Sequence, residues 1–166
     1  MGGGVHDVRV TDMNSPSHDW LAPLLSLLGG EKVSNTANIL AEHSGDKWSA
    51  SHPPDVVVFA ESTADVSAVL RFANEHGIPV TTRGAGFGYV GGCVPVQGGI
   101  VLSTARMNRI LGMHPEDGVA IVQPGVITKE LQEAAHAVGW DYPPDPASRK
   151  DCSIGGNIAT NAGGPR

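Results

Sequence analysis

Two cysteines, Cys93 and Cys152, are all that the 166 residues carry, so no disulfide framework organises this chain. Both stand in glycine-rich segments, where a small buried thiol is the expected role. Lysine and arginine number 11 against 17 acidic residues, a net charge of −6, and the basic residues form no cluster. Nucleic acid is not an expected partner, because nothing would displace counterions from its phosphates. Any anionic ligand must be bound locally. The longest apolar stretch, "LAPLLSLL", carries a proline and is too short to span a bilayer. The start, "MGGGVHDVRVTDMNSPSHDW", lacks the apolar centre of a signal peptide, and His6 stands where a myristoylation motif needs Ser or Thr. A soluble, cytoplasmic protein without a transmembrane segment is the expectation. The histidines at 6, 18, 43, 52, 76, 114 and 136 stand singly, so no metal site is expected.

What the chain has in excess is glycine, 22 residues, and proline, 12. They cluster between apolar runs, which favours a loop-rich folded domain over a low-complexity tract. The length suits one domain or two small subdomains sharing an interface. Residues 1–18 read as a loose tail, 19–28 as a short helix stopped by Gly29, and 35–43 as a second helix. A buried strand is expected over 56–60, then a helix opened by Ser62 and Asp65. Val66, Val69, Leu70 and Ala73 give that helix its apolar spacing, and Gly77 closes it. Strand 78–82 completes a strand–helix–strand unit. Strands from Ile100 and Gly118 and a helix over 128–138, stopped by Gly139, follow.

The segment "RGAGFGYVGGCVP" contains G-x-G-x-x-G at Gly86, Gly88 and Gly91. A dinucleotide fingerprint of the Rossmann type needs a helix after those glycines, to put pyrophosphate on free amides. Here Pro95, Gly98 and Gly99 forbid one, and Arg106 stands about where an acidic residue would grip a ribose. An NAD-binding Rossmann domain is thus the disfavoured reading. The favoured one is a loop whose successive amides converge on an anion. Arg83 either adds charge to it or bonds loop carbonyls. "YPPDPASRKDCSIGGNIATNAGG" carries a second glycine cluster, in which Ser153 opens a helix or a turn, and two such loops suit one large ligand.

"PVTTRGAGFGYVGG", "VQPGV", "PPDP" and "CSIGGNIATNAGG", in that order, resemble the FAD-binding domain of the vanillyl-alcohol oxidase and p-cresol methylhydroxylase superfamily, nearest to the glycolate oxidase D subunit and D-lactate dehydrogenase group. The resemblance runs from about Glu31 onward and includes "HSGD" near Asp46. It implies an α+β fold of two α/β subdomains with FAD between them. The boundaries it suggests are a tail at 1–18, a helical segment at 19–52, a first FAD subdomain at 53–110 and an incomplete second one at 111–166. It implies pyrophosphate binding by Arg83, Gly84, Ala85, Gly86, Phe87, Gly88, Gly91 and Gly92, largely through backbone amides. Pro124, Gly125 and Val126 would line the flavin cleft. Pro144 and Asp145 would approach the isoalloxazine, unless Asp145 fixes its own turn. Ser153, Ile154, Gly155, Gly156 and Asn157, with Ala162, Gly163 and Gly164, would form the second wall.

The group more usually has Thr at position 87 and Leu-Ser at 89 and 90, so Phe87, Tyr89 and Val90 remove two hydroxyls that could bond phosphate. Relatives with covalent flavin resemble one another in a His near position 87, and its absence implies non-covalent FAD. The intact protein would oxidise a small 2-hydroxy acid, passing electrons to an acceptor the residues do not specify. No catalytic residue can be assigned, since the rest of the second subdomain and a substrate domain would lie beyond Arg166. A non-catalytic FAD-binding remnant or interaction module is the alternative. An incomplete second subdomain would also leave an open face through which the chain could associate.

Overall fold

The computed structural model describes residues 18–165, so the expected tail and His6 lie outside the described residues, His18 excepted. Two units follow one another. The first is a four-stranded sheet of β1 (Val33–Ser34), β2 (Val56–Phe59), β3 (Val80–Arg83) and β4 (Ile100–Ser103), in the order β1-β2-β4-β3. The β2 and β3 strands run parallel to β4 on either side, and β1 closes one edge antiparallel to β2. β4 thus lies between the two strands of the expected strand–helix–strand unit.

The central strands are apolar without alternation because both their faces are covered. Val56, Val57, Val58, Ile100, Val101 and Leu102 are all buried. Helices α1 (Leu21–Leu28) and α3 (Thr63–His76) supply Leu24, Leu28, Val69, Phe72 and Ala73 to one core with Val56, Val58, Ile100 and Leu102. The short α2 (Ala37–Glu42) carries no buried residue. Ser62 caps α3 by accepting from the Asp65 amide at 3.1 Å, while the Asp65 carboxylate accepts from the Glu61 amide and from Lys32. Gly77 ends the helix in the left-handed conformation, φ 64°. Leu70, counted with the apolar face, is 46% exposed, and Phe72, three residues beyond Val69, fills the core instead.

The second unit contains a hairpin of β5 (Ile110–His114) and β6 (Val119–Val122), then α4 (Thr128–Ala137) and α5 (Ile154–Thr160). Val126, Leu131 and Ile154 form its small core. Three elements were not expected outright: the two-residue β1, β5 and α5. The β5 strand carries Gly112 and escapes a propensity reading. Helix α5 contains two glycines in its first turn, yet Ser153 accepts from the Gly156 amide at its N-terminus, settling helix over turn. No helix follows the glycine loop before β4, which removes the Rossmann alternative.

Candidate functional site

The glycine loop leaves the carboxyl end of β3 at Gly84 and returns into β4, the end of a parallel sheet where ligands characteristically bind. From outside, residues 42–47 brace it. Arg83 donates from Nη1 to the Gly45 carbonyl at 2.5 Å and from Nη2 to the Glu42 carbonyl at 3.3 Å. Of its two sequence roles, the carbonyl-bonding one is formed. Gly86 has φ 75°, and a Cβ there would run into the Arg83 guanidinium. Asp46 Oδ2 accepts from the Gly91 amide at 2.8 Å, and the Lys47 amide donates to the Gly88 carbonyl at 3.1 Å. The Lys47 ammonium lies 4.3 Å from the centre of the Phe87 ring.

Between that brace and the cleft, none of the amides from 84 to 90 donates to an acceptor among the described residues. Backbone donors left together in this way form an anion-receiving surface. The opposite wall behaves differently. At the start of α5 the Ile154 and Gly155 amides donate to Val126 and Pro124 carbonyls, each at 2.8 Å, and Gly156 donates to Ser153 Oγ at 3.4 Å. This wall therefore contributes close backbone approach, not free amides. A Cβ on Gly155 would stand 2.7 Å from the Pro124 Cβ, and one on Gly84 would stand 2.6 Å from Ser153 Oγ. The two glycine clusters thus meet directly.

They enclose a cleft of about 650 Å³, large enough for an extended cofactor. Of the nominated residues, Gly84, Ala85, Gly86, Phe87, Gly88 and Gly92 line it from the loop side. Pro124, Ser153, Gly155, Gly156, Asn157 and Ala162 line it from the other. Arg83 and Gly91 lie behind the loop in the bonds already described. Gly125 is wedged below the cleft, with its amide 2.7 Å from the Met107 carbonyl. Val126 and Ile154 belong to the second core. The Pro144 carbonyl accepts from Gln132 at 2.8 Å, and the Asp145 amide donates to the Gly163 carbonyl at 2.8 Å. Asp145 also pairs with Arg149 at 3.0 Å. Gly164 packs against the Asp145 carbonyl, so 144–145 and 163–164 form one locked turn outside the lining.

Sequence reasoning missed several participants. Thr104 and Ser148 line the cleft, as do both cysteines; burial, reinforced by Asp46, pushes the Cys93 thiol up against the opposing pull of Arg83. It is therefore a neutral thiol near pH 7, not a nucleophile. Asp46 and Thr128 act from behind the walls. The "HSGD" match marked Asp46 in the sequence, but its partner is 45 residues away and no local pattern names it. None of the six described histidines lines the cleft; His43 Nδ1 meets the Ile39 carbonyl at 2.9 Å and His18 pairs with Asp55 at 3.2 Å. Among the described residues no group of three His, Cys, Asp or Glu could hold a metal, and no helix is long and apolar enough to cross a membrane.

A glycine loop with unpaired amides and no following helix, set against a second glycine-rich wall across an extended cleft, has the form of a nucleotide-cofactor domain outside the Rossmann class. Residues 54–166 match the family described as "FAD binding domain", and the chain belongs to that family. It is similar to D-lactate dehydrogenase of Anaerostipes hadrus, 48% identical over 113 residues, covering 68% of this chain and 24% of that protein. It is similar also to the glycolate oxidase subunit GlcD of Escherichia coli K12, 37% identical over 153 residues, covering 90% of this chain and 31% of that protein. Among solved structures, p-cresol methylhydroxylase with substrate bound superposes with a TM-score of 0.60 at 31% identity, covering 69% of this chain and 23% of that one. The chain thus spans about a quarter to a third of the curated relatives it matches. It is an FAD-binding domain, with the α+β architecture of the p-cresol methylhydroxylase type.

FAD fits the residues present. Its pyrophosphate needs several donors in a small volume, and the amides of 84–90 offer them without any hydroxyl at position 87. The Gly88 and Gly92 positions have no heavy atom within 4 Å of an added Cβ, so the backbone is open to close approach where the loop lines the cleft.

Proposed function

We propose that this chain holds FAD, non-covalently, for the oxidation of a small 2-hydroxy acid of the glycolate or D-lactate kind. The observation that carries the reading is the run of unpaired loop amides facing the α5 wall across one cleft. The substrate class rests on the names of the relatives, D-lactate dehydrogenase and glycolate oxidase. When bound, FAD supplies a two-electron acceptor for the carbon–hydrogen bond of the hydroxy acid. This chain's residues bind and orient it. The amides of 84–90 neutralise pyrophosphate charge, Phe87 and Val90 exclude water along one side, and Pro124 with Gly155 fixes the spacing of the other.

Non-covalent binding is supported by the absence of any histidine from the cleft lining. The neutral Cys93 thiol does not offer a thiolate for attachment. Both cysteines are unpaired, as suits a reducing cytoplasmic location. The division at about residue 110 into two FAD subdomains is part of the same reading, as are the nominated binding residues. Exposed Leu111, Val119, Ile121 and Trp140 support association through the hairpin side of the second unit.

The test is to incubate the purified chain with FAD, desalt it, and record its visible spectrum and melting temperature. Retained flavin colour with a raised melting point is expected, about 2.7 kcal/mol of added stability at a hundredfold excess over Kd. Acid precipitation should then leave the colour in the supernatant. Flavin that stays with the precipitate refutes non-covalent binding, and a folded chain that retains none refutes the FAD reading for these residues.

A further inference from the structure

Behind the α5 wall lies a polar cluster that the binding reading does not use. Thr128, fully buried at the first residue of α4, does not line the cleft. Its Oγ1 donates to the Cys152 carbonyl at 3.3 Å and lies 3.2 Å from Cys152 Sγ. A hydroxyl has one proton, and a carbonyl can only accept it. Thr128 Oγ1 is therefore an acceptor towards its third neighbour, Asn157, whose Nδ2 donates to it at 2.5 Å.

That bond orients the Asn157 amide. With Nδ2 turned to Thr128, the carbonyl Oδ1 has no partner among the described residues, yet none of their buried side-chain oxygens is left unpaired. The Asn157 oxygen consequently opens onto the cleft, although the residue is only 6% exposed. With the Thr128 proton given to the Cys152 carbonyl, the Asn157 carbonyl is held where it can receive a donor. The opposite flip would require the Thr128 hydroxyl to turn from that carbonyl to Asn157 Oδ1.

We propose that Thr128 is a positioning residue for the cofactor, holding Asn157 so that its Oδ1 accepts an N–H or O–H from the non-phosphate part of FAD. This rests on the FAD reading above. The donor lies either in the flavin half, as the isoalloxazine N–H or a ribityl hydroxyl, or in the adenosine half. Loss of the hydroxyl in Thr128→Val frees the Asn157 amide to turn, and one fixed hydrogen bond is then lost, about three- to tenfold in affinity.

The full chain is titrated with FAD, FMN and ADP, as wild type, Thr128→Val and Thr128→Ser. Expected is a three- to tenfold weaker FAD affinity in Thr128→Val and recovery to within about twofold in Thr128→Ser, which keeps the hydroxyl. The same loss for FMN, with a shifted flavin absorption band, assigns the donor to the flavin half; loss for ADP assigns it to the adenosine half. Equal FAD affinity and an unshifted spectrum in Thr128→Val overturn the proposal, as does a defect that Thr128→Ser leaves uncorrected. If circular dichroism finds Thr128→Val unfolded, Asn157→Ala decides: matching loss supports the role and unchanged affinity overturns it. A folded wild type that binds no FAD defeats the proposed function itself, whereas binding indifferent to Thr128 defeats only this inference.

Discussion

Gly84 and Ser153 form the seam between the two glycine clusters, and a double-mutant cycle across them tests whether that seam is real. A Cβ on Gly84 would lie 2.6 Å from Ser153 Oγ, inside the 3.0 Å that real Cβ contacts respect, while its next neighbours stand at 3.7 and 3.8 Å. Ser153 is 3% exposed, so its hydroxyl cannot swing freely into water. Gly84→Ala must drive it off the Gly156 amide. Loss of that cap costs about 0.5–1 kcal/mol, the low end because the bond is long, and crowding adds about 1–2 kcal/mol. Lower chain entropy in the unfolded state returns about 0.5 kcal/mol, since Gly84 lacks a positive φ. The net loss is about 1–2.5 kcal/mol. Ser153→Ala alone loses only the cap. In the double variant the clashing oxygen is gone, and the loss should fall below about 0.5 kcal/mol. The coupling, cap plus crowding, is then about 1.5–3 kcal/mol. Urea unfolding of the four proteins at a common m-value reads it directly, and each kcal/mol moves Tm by about 2–4 °C in a chain of this size. Additivity within about 0.5 kcal/mol would refute the contact.

Other outcomes follow from neighbouring observations. Gly88→Ala, at a cleft position with no heavy atom within 4 Å of the new Cβ, should leave Tm within about 2 °C while weakening FAD roughly tenfold, as calorimetry would detect. Asp46→Ala, which releases the Gly91 amide, should cost about 1–2 kcal/mol and raise hydrogen exchange at Gly91; unchanged exchange would break the link between the brace and the loop. Burial, with Arg83 nearby, holds the His43 imidazole below its ordinary pKa despite the Ile39 carbonyl. The unfolded chain then binds more protons, so stability should be present above about pH 6.5 and fall as pH drops through the lowered folded value. The His43→Gln variant should show a flatter Tm profile over that window. Sedimentation of wild type against Ile121→Lys tests association through the hairpin face, where loss of any self-association in the variant is expected.

Short-range signals were legible in the residues themselves. The unbroken apolar run at 56–58 marked a buried strand, because a strand covered on both faces has no reason to alternate, and the residues from Ile100 marked another strand. Ser62, Asp65 and Gly77 marked the limits of α3 through local hydrogen bonds and a left-handed φ. Pro95 and the glycines at 98 and 99 ruled out a helix after the loop, and the motif order from the glycine loop to "NAGG" identified the family. These properties depend on residues within a few positions of one another, or on a pattern carried whole along the chain.

Long-range pairings were decided only by the tertiary structure. β4 lies between β2 and β3, an order that no strand encodes alone. Leu70 satisfies the helical period but falls on the rim, because the sheet covers only part of the α3 face and Phe72 reaches it instead. Arg83 could bond carbonyls or a ligand on sequence grounds; the carbonyls of residues 42 and 45 capture it because the chain returns them to the end of β3. The same return brings Asp46 to Gly91, Gly84 to Ser153 and Thr128 to Asn157. Which glycines face a ligand and which merely let two segments touch is a question of distance across the fold, and sequence spacing does not contain that distance.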